Sequence, residues 1–474
     1  MRESLLWVVP AILVAGLTCG AHLRAEESQV TLPQCLEAAR LLSPAMRQAD
    51  GAIEGAVARK NAVRGQLLPG VTVDGNVMVW NQEVAMSFLS SSSSTPVDLS
   101  AIPAPQTVYE TILFEMLKQM GGKTVVQEQV TWQVGVTAAQ PLTPIWAIVH
   151  SHKLAGLGVD LAMLKKSETL ANTLFSVVSA YYQVLQVEAV QGTLSESLGR
   201  MKDHLDKARL LRQAELVAPA DVLKIEVALA RVEQTELSMR NMAELARANL
   251  AVQVGWGPGR TVRPTVPELP APRLPPVSLE EAFAAAEAHR PELAQVRNAM
   301  EQVRLVKRIL VQEFVPSVSA LANYTHAEGS SFRDEDSMFV GLAFSWPVWQ
   351  WGASAYKMDE ANANLRQAQA AYDQARDFVL LEVKKHYLDV LSAMEELRVA
   401  QRVIDEAEEN YRMQKLLFEA EYKTSSDLID AESSLTQARS QYFIVQWKTW
   451  LAWAGLQKAM GAPVEAWFQA EVVP

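Results

Sequence analysis

The 474-residue sequence is short of several things, and each shortage removes a class of protein. There are two cysteines, Cys19 and Cys35. If Cys19 is lost with the N-terminal segment described below, the remaining thiol cannot close an internal disulfide, and Cys35 reads as a small core residue. Positive charge is in deficit. The 43 Lys and Arg set against 54 Asp and Glu give a net charge of −11 and a pI near 5.3. No basic field is available to hold phosphates, so nucleic acid is not expected as a partner. Beyond the first 25 residues no stretch of 18 residues is continuously apolar, and no membrane-spanning helix is expected. Nucleophile elbow, P-loop, dinucleotide fingerprint and zinc-ligand spacings are missing too, so neither an enzyme nor a cofactor is expected. His150-Ser-His152 has no acid or Cys beside it and reads as surface.

Apolar residues make up 49% of the chain and charged residues 20%, enough for a sizeable core. Residues 1–25 read as a secretory signal: Arg2 gives a basic start, Leu5–Gly20 an apolar run, and Cys19-Gly-Ala21 or Leu23-Arg-Ala25 a cleavage site. A membrane anchor is the alternative. Cys19 is a weak candidate for lipidation, because Thr18 and Gly16 depart from the residues such signals carry before their cysteine.

The mature chain states one plan twice. "TLPQCLEAARLLSPAM" at Thr31 aligns without gaps to "SLEEAFAAAEAHRPEL" at Ser278, an offset of 247 that places Pro44 on Pro291 and Pro69 on Pro316. "VGVTAAQPL" at Val134 matches "VGLAFSWPV" at Val340, an offset of 206 that continues through Tyr181/Tyr387, Asp221/Asp427 and Gly255/Gly461. The first copy therefore holds 41 extra residues, around the Ser/Pro-rich "SFLSSSSSTPVDLSAIPAPQ". The reading is repeat 1 over 26–262, with a long loop over 81–131 and a helical turn near 215–221. A Pro-rich linker spans 263–277, repeat 2 spans 278–462 with its turn near 421–427, and a tail covers 463–474. Each copy predicts helix, two strands, very long helix, turn and helix. The first helices are expected over 31–66 and 278–313. The long helices, 146–214 and 352–420, contain no proline, and each would extend about 100 Å. In the second, Leu380, Val383, Tyr387, Val390, Met394 and Leu397 step by 3 and 4 as a coiled-coil seam.

The strands alternate. Val71, Val73, Val77 and Val79 share a face, as do Trp132, Val134 and Val136, and Val340, Leu342, Phe344 and Trp346. A half-buried strand of a soluble sheet fits this, and so does a membrane β-strand of 9–11 residues. One chain offers four such strands and a membrane barrel needs about eight or more, so a barrel here must be shared between subunits. Trp346, Trp349 and Trp351 cluster where a strand gives way to the long helix. They fit an aromatic belt at a membrane interface or a packed bend.

Together these features carry a resemblance. The doubled order with fixed spacing, "QLLPGV" and "FVPSV" entering the first strands, "QPL" and "WPV" leaving the second, and the paired "PADVL" and "SSDLIDAE" turns resemble the TolC-like outer-membrane efflux proteins of Gram-negative bacteria. The resemblance implies an α+β membrane protein. It implies a homotrimer whose twelve strands, four per chain, close one β-barrel in outer-membrane lipid. A coiled-coil tunnel built from the two internal repeats would continue the barrel across the periplasm. Such a protein is the exit duct of a tripartite efflux pump or type I secretion system, docking with a periplasmic adaptor and an inner-membrane transporter. A periplasmic coiled-coil adaptor, or a structural protein of an envelope-spanning complex, is the alternative.

The turns carry the candidate site. Pro219 suits a first helical position, and Thr424-Ser-Ser-Asp427 reads as a capping box, so Asp221 and Asp427 can serve their turns as caps. The resemblance adds tip contacts between Asp221 and Lys423 of different subunits. Asp430 lies one turn beyond Asp427, where the first copy has Lys224. With Asp427 it would form an acidic ring at the pore entrance of a trimer, and a solvated surface Asp is the other reading. The family's usual Gly six residues before the turn Asp is replaced by Glu215 and Glu421. Each helix must then run on or turn with a non-glycine residue.

Overall fold

The computed structural model describes residues 28–86, 107–121, 124–267, 277–331, 334–420 and 422–468. The predicted signal with Cys19, Glu421 and most of the Pro-rich linker lie outside them. In chain order the elements are β1 (Ser28–Val30), α1 (Leu32–Leu42), α2 (Pro44–Gly65), β2 (Gly70–Val79), β3 (Val84–Met86), α3 (Val108–Gly121), β4 (Thr124–Pro141), α4 (Ile145–Gln213) and α5 (Pro219–Val254). After them come β5 (Val262–Pro264), α6 (Leu279–His289), α7 (Pro291–Leu310), β6 (Ser317–Ser330), β7 (Asp336–Ser345), α8 (Ala353–Glu419) and α9 (Ser425–Ala459), with 3₁₀ turns at 311–314 and 464–468.

Three expectations need correction. The first helix of each copy is two helices, broken at Pro44 and Pro291. Ser43 (ψ 130°) and Arg290 (ψ 122°) are extended, because the ring of a following proline clashes with a helical residue before it. The segment 81–131 is not all loop: it contains β3, α3 and the start of β4. Its Ser/Pro-rich composition masks a capping box at Thr107-Val-Tyr-Glu110, in which Glu110 N–H donates to Thr107 Oγ1 at 3.2 Å and Thr107 N–H to Glu110 Oε2 at 3.1 Å. The region read as linker begins inside β5, which pairs in parallel with β1, Ser28 opposite Val262.

The chain divides into two compact units. One comprises 1–48, 168–290 and 379–474. Its core is built where α4, α5 and α9 bury apolar faces with α1: Leu174, Val177, Tyr181 and Leu185 meet Leu250, Val254, Trp450 and Ala454, with Cys35 and Trp467 beside them. Burying each such large side chain contributes about 1.5–3 kcal/mol. The Tyr181 hydroxyl lies 3.2 Å from the Val30 carbonyl and 2.5 Å from that of Thr265, so it ties β1 and the end of β5 to α4. Burial pushes the Cys35 thiol up to about 12, so it stays a protonated core group. Gly461 (φ 75°) adopts a left-handed turn where a Cβ would lie 2.9 Å from the His289 carbonyl carbon.

The other unit comprises 49–167 and 291–378. It holds an antiparallel sheet in the order β2-β4-β6-β7, with the short β3 also on β4. Val73 lies opposite Val136, Val136 opposite Tyr324, and Tyr324 opposite Met338, which fixes one register across all four strands. β2 and β7 are the two edges of this order.

Candidate functional site

Strand pairing sorts the sheet into two faces. One carries Val71, Val73, Val77 and Val79 of β2, Val134 and Val136 of β4, Ala320 and Ala322 of β6, and Val340, Leu342 and Phe344 of β7. The other carries Thr72, Asp74 and Asn76, then Gln133 and Thr137, then Asn323 and Thr325, then Ser337. The polar face is internally bonded: Asn323 Nδ2 donates to Thr137 Oγ1 at 2.8 Å, and Thr325 Oγ1 to Asn323 Oδ1 at 2.9 Å. The apolar face is bare, with Val340 at 78% and Leu342 at 72% exposure. A soluble sheet buries that face, whereas a sheet with lipid on one side and water on the other displays it. From Asp336 to Phe344 the apolar stretch of β7 rises about 20 Å, taking 3.4 Å per residue and a tilt near 40°.

Aromatic residues stand at both ends of this stretch of β7. Trp346, Trp349 and Trp351 follow the end of β7 and are exposed, with the Trp349 and Trp351 rings edge to face at 5.6 Å. Trp351 is held at φ 52°, a conformation disfavoured for a side-chain-bearing residue, and Gly352 follows at 81°. At the opposite end Trp132 Nε1 donates to Glu328 Oε2 at 3.1 Å, and the Tyr324 hydroxyl donates to Asp336 Oδ1 at 2.6 Å. Sequence reading missed this second group, because its members sit on three strands and only the register assembles them.

The helical turns lie in the first unit. α4 ends with Glu215 N–H bonded to the Arg212 carbonyl at 2.9 Å and Leu216 N–H to that of Leu211 at 2.9 Å, the double closure of a left-handed cap. Glu215 occupies the left-handed position at φ 62°, so the helix stops on a non-glycine residue instead of running on. At the second turn Tyr422 N–H reaches the Leu417 carbonyl at 2.9 Å, the counterpart of the Leu216–Leu211 bond. The predicted capping box is present. Asp427 N–H donates to Thr424 Oγ1 at 3.3 Å, while the Thr424 hydroxyl and N–H donate back to Asp427 Oδ2 at 2.8 and 3.1 Å. These bonds, with help from Lys423, hold the Asp427 carboxyl below the usual range. Lys423 Nζ is 3.7 Å from Asp427, its own neighbour. Asp221 accepts from Lys224 at 3.2 Å and from the buried Ser425 hydroxyl at 3.0 Å, joining the starts of α5 and α9. Asp430 is exposed, and its carboxylate has no ion-pair partner among the described residues. Within one chain Asp221 and Lys423 are thus engaged with other groups.

Above these turns lies a buried polar layer that sequence reading also missed. Arg200 Nε donates to both Glu432 oxygens at 3.0 Å, and the Glu432 side chain is 2% exposed. Thr436 Oγ1 bridges Glu432 and the Ser197 hydroxyl, and His204 Nε2 lies 2.9 Å from the Tyr411 hydroxyl. Nothing local in the sequence marks these residues, since the partners are separated by more than 200 positions. His150 meets the Trp146 carbonyl at 2.9 Å through Nδ1. Among the described residues no helix is long and apolar enough to cross a membrane.

Residues 283–462 match the family model of the outer membrane efflux proteins. Among curated proteins, the chain is 19% identical over 286 residues to the outer membrane efflux protein BepC of Brucella suis, covering 58% of this chain and 62% of that one. It is 23% identical over 197 residues to the alkaline protease secretion protein AprF of Pseudomonas aeruginosa, covering 41% of each. The matched stretches thus span less than two thirds of either relative. The fold superposes on the outer-membrane channel CmeC of Campylobacter jejuni with a TM-score of 0.73 at 13% identity, covering 91% of this chain and 85% of that one. The relatives are channel proteins, not enzymes. Family model, curated relatives and fold all point the same way: over residues 283–462 the chain matches the outer membrane efflux proteins, and its likeness throughout is to TolC-like proteins of the outer membrane.

Proposed function

We propose that the protein is the outer-membrane duct of an efflux or type I secretion assembly, acting as a homotrimer. The observation that carries this reading is the sheet whose four-strand path β2-β4-β6-β7 has a bare apolar face, a polar face and two edge strands. An open edge is forbidden in lipid, and four strands are too few to close a barrel. Pairing β2 of each subunit with β7 of the next closes twelve strands, turns the valines outward and lines the lumen with Thr72, Asn76, Gln133 and Asn323. Trp346, Trp349 and Trp351 then mark one membrane interface, and Trp132 with Tyr324 the other. The internal repeat supports a tunnel of twelve helical columns. Gln213 and Glu419 end the long helices 206 positions apart, and Pro219 and Ser425 open the return helices at the same offset. The helical part would stand in the periplasm and dock with an adaptor and an inner-membrane transporter.

The turns are the proposed gate. Lys423 holds Asp427 only through an exposed contact, which contributes about 0–1 kcal/mol, so exchange to Asp221 of the next subunit is cheap. Asp427 and Asp430 would supply six carboxylates around the entrance, attracting cations. Hexamminecobalt added to the turn side should block the conductance of the purified trimer, and Asp430→Ala should relieve the block. Undiminished block in Asp430→Ala removes Asp430 from the entrance.

A further inference from the structure

One helix face of the chain is covered, and its counterpart one repeat later is bare. Within the chain α9 lies along α4: Thr436 Oγ1 is 2.9 Å from Ser197 Oγ, and Trp447 stacks on Tyr182 with ring centroids 5.6 Å apart. Tyr182 and Ser197 are accordingly 2% and 1% exposed. The offset of 206 carries them onto Leu388 and Val403 of α8, which are 50% and 43% exposed. Val403 lines an open groove of about 710 Å³ along α8 and α9. The covering side shows the same imbalance. Ile429 of α9 packs on the cluster around Met201 and Leu205, whereas its counterpart on α5, Leu223, is exposed, as is Ala230, the counterpart of Thr436.

The charges repeat the relation with inverted sign. Arg439 of α9 donates to Glu196 of α4 at 2.9 Å and to Glu408 of α8 at 2.7 Å. The counterparts are Glu233 on α5, Arg402 on α8 and Lys202 on α4, so acid–base–acid becomes base–acid–base. All three are exposed, and none forms an ion pair with a described residue of the chain.

We propose that α5 of one subunit covers α8 of the next as α9 covers α4 inside the chain, with Glu233 held between Lys202 of its own subunit and Arg402 of its neighbour. The interface rests on the trimer reading of the preceding section.

Paired cysteines test it. Ser197 and Thr436 touch through atoms one bond beyond Cβ, within reach of a disulfide, so Val403→Cys with Ala230→Cys should cross-link between subunits. Oxidised outer membranes should then show covalent dimers and trimers on a non-reducing gel. Either single variant should show none, because Cys35 is buried. A protein that is trimeric by native mass but gives no covalent dimer from the pair overturns this interface and leaves the trimer standing. A monomer in detergent overturns both. As a second reading, Arg402→Glu should lower the temperature at which the trimer dissociates in SDS. Adding Glu233→Arg and Lys202→Glu should restore it by recreating the sign pattern found inside the chain. An unchanged dissociation temperature in Arg402→Glu overturns the charge triad.

Discussion

His204 offers a quantitative test of the helical packing. Its side chain is 5% exposed, and Nε2 meets the Tyr411 hydroxyl at 2.9 Å. Burial is the main influence on the imidazole. Lys415 and Arg200 add to its effect, Asp203 and Glu419 oppose it, and the net result pushes the group down to about 4. The unfolded chain binds this proton near pH 6.5 and the folded chain near 4. The stability is therefore complete above pH 6.5 and is lost as pH falls toward 4. Holding the imidazole neutral costs the folded chain about 1.4 kcal/mol for every pH unit below 6.5, so about 2 kcal/mol per chain disappears between pH 7.5 and pH 5. His204→Gln keeps a polar partner for Tyr411 and cannot titrate. Guanidinium unfolding followed by far-ultraviolet circular dichroism at the two pH values should show wild type losing about 2 kcal/mol more than His204→Gln. Equal losses in the two proteins would refute the buried, neutral imidazole.

Other substitutions probe other links. Arg200→Ala leaves the Glu432 carboxylate buried without its cation and should cost about 3–5 kcal/mol, read in the same unfolding assay. Replacing Glu432 with Met in that background should recover most of it, and no recovery would mean that packing rather than unpaired charge set the cost. Glu215→Gly removes a left-handed penalty of about 1–2 kcal/mol while raising unfolded-state entropy by about half as much, so it should be neutral to slightly stabilising, whereas Glu215→Val should destabilise. Leu342→Arg on the bare sheet face should cost about 2–4 kcal/mol of membrane insertion and reduce the outer-membrane pool, while a lumen-face change such as Asn323→Ser should not.

Periodicity carries most of the fold. The long helices fall within one residue of the sequence reading, and the returns open at Pro219 and just after Thr424 where the turn signals stand. The misses have local causes. Pro44 and Pro291 stand out as matched positions, but each also forces the residue before it out of the helix, and that splits both first helices. The α3 capping box is hidden by the Ser/Pro-rich stretch before it. At the turns, Asp427 as a cap is legible in four consecutive residues. The Asp221–Ser425 contact, the Arg200–Glu432 pair and the Trp132–Glu328 bond are not, because each joins elements about 200 positions apart. A one-dimensional pattern carries spacing within an element. It does not say which face of one helix meets which face of another.

The central claim is that this chain closes with further copies into an aqueous path across the outer membrane. The most direct measurement is the conductance of the purified, detergent-solubilised oligomer inserted into a planar lipid bilayer. Discrete conductance steps, abolished when Leu342→Arg prevents insertion, are the predicted result. A protein that inserts stably as a trimer and passes no ions, even after Lys423→Ala loosens the turns, would contradict the account.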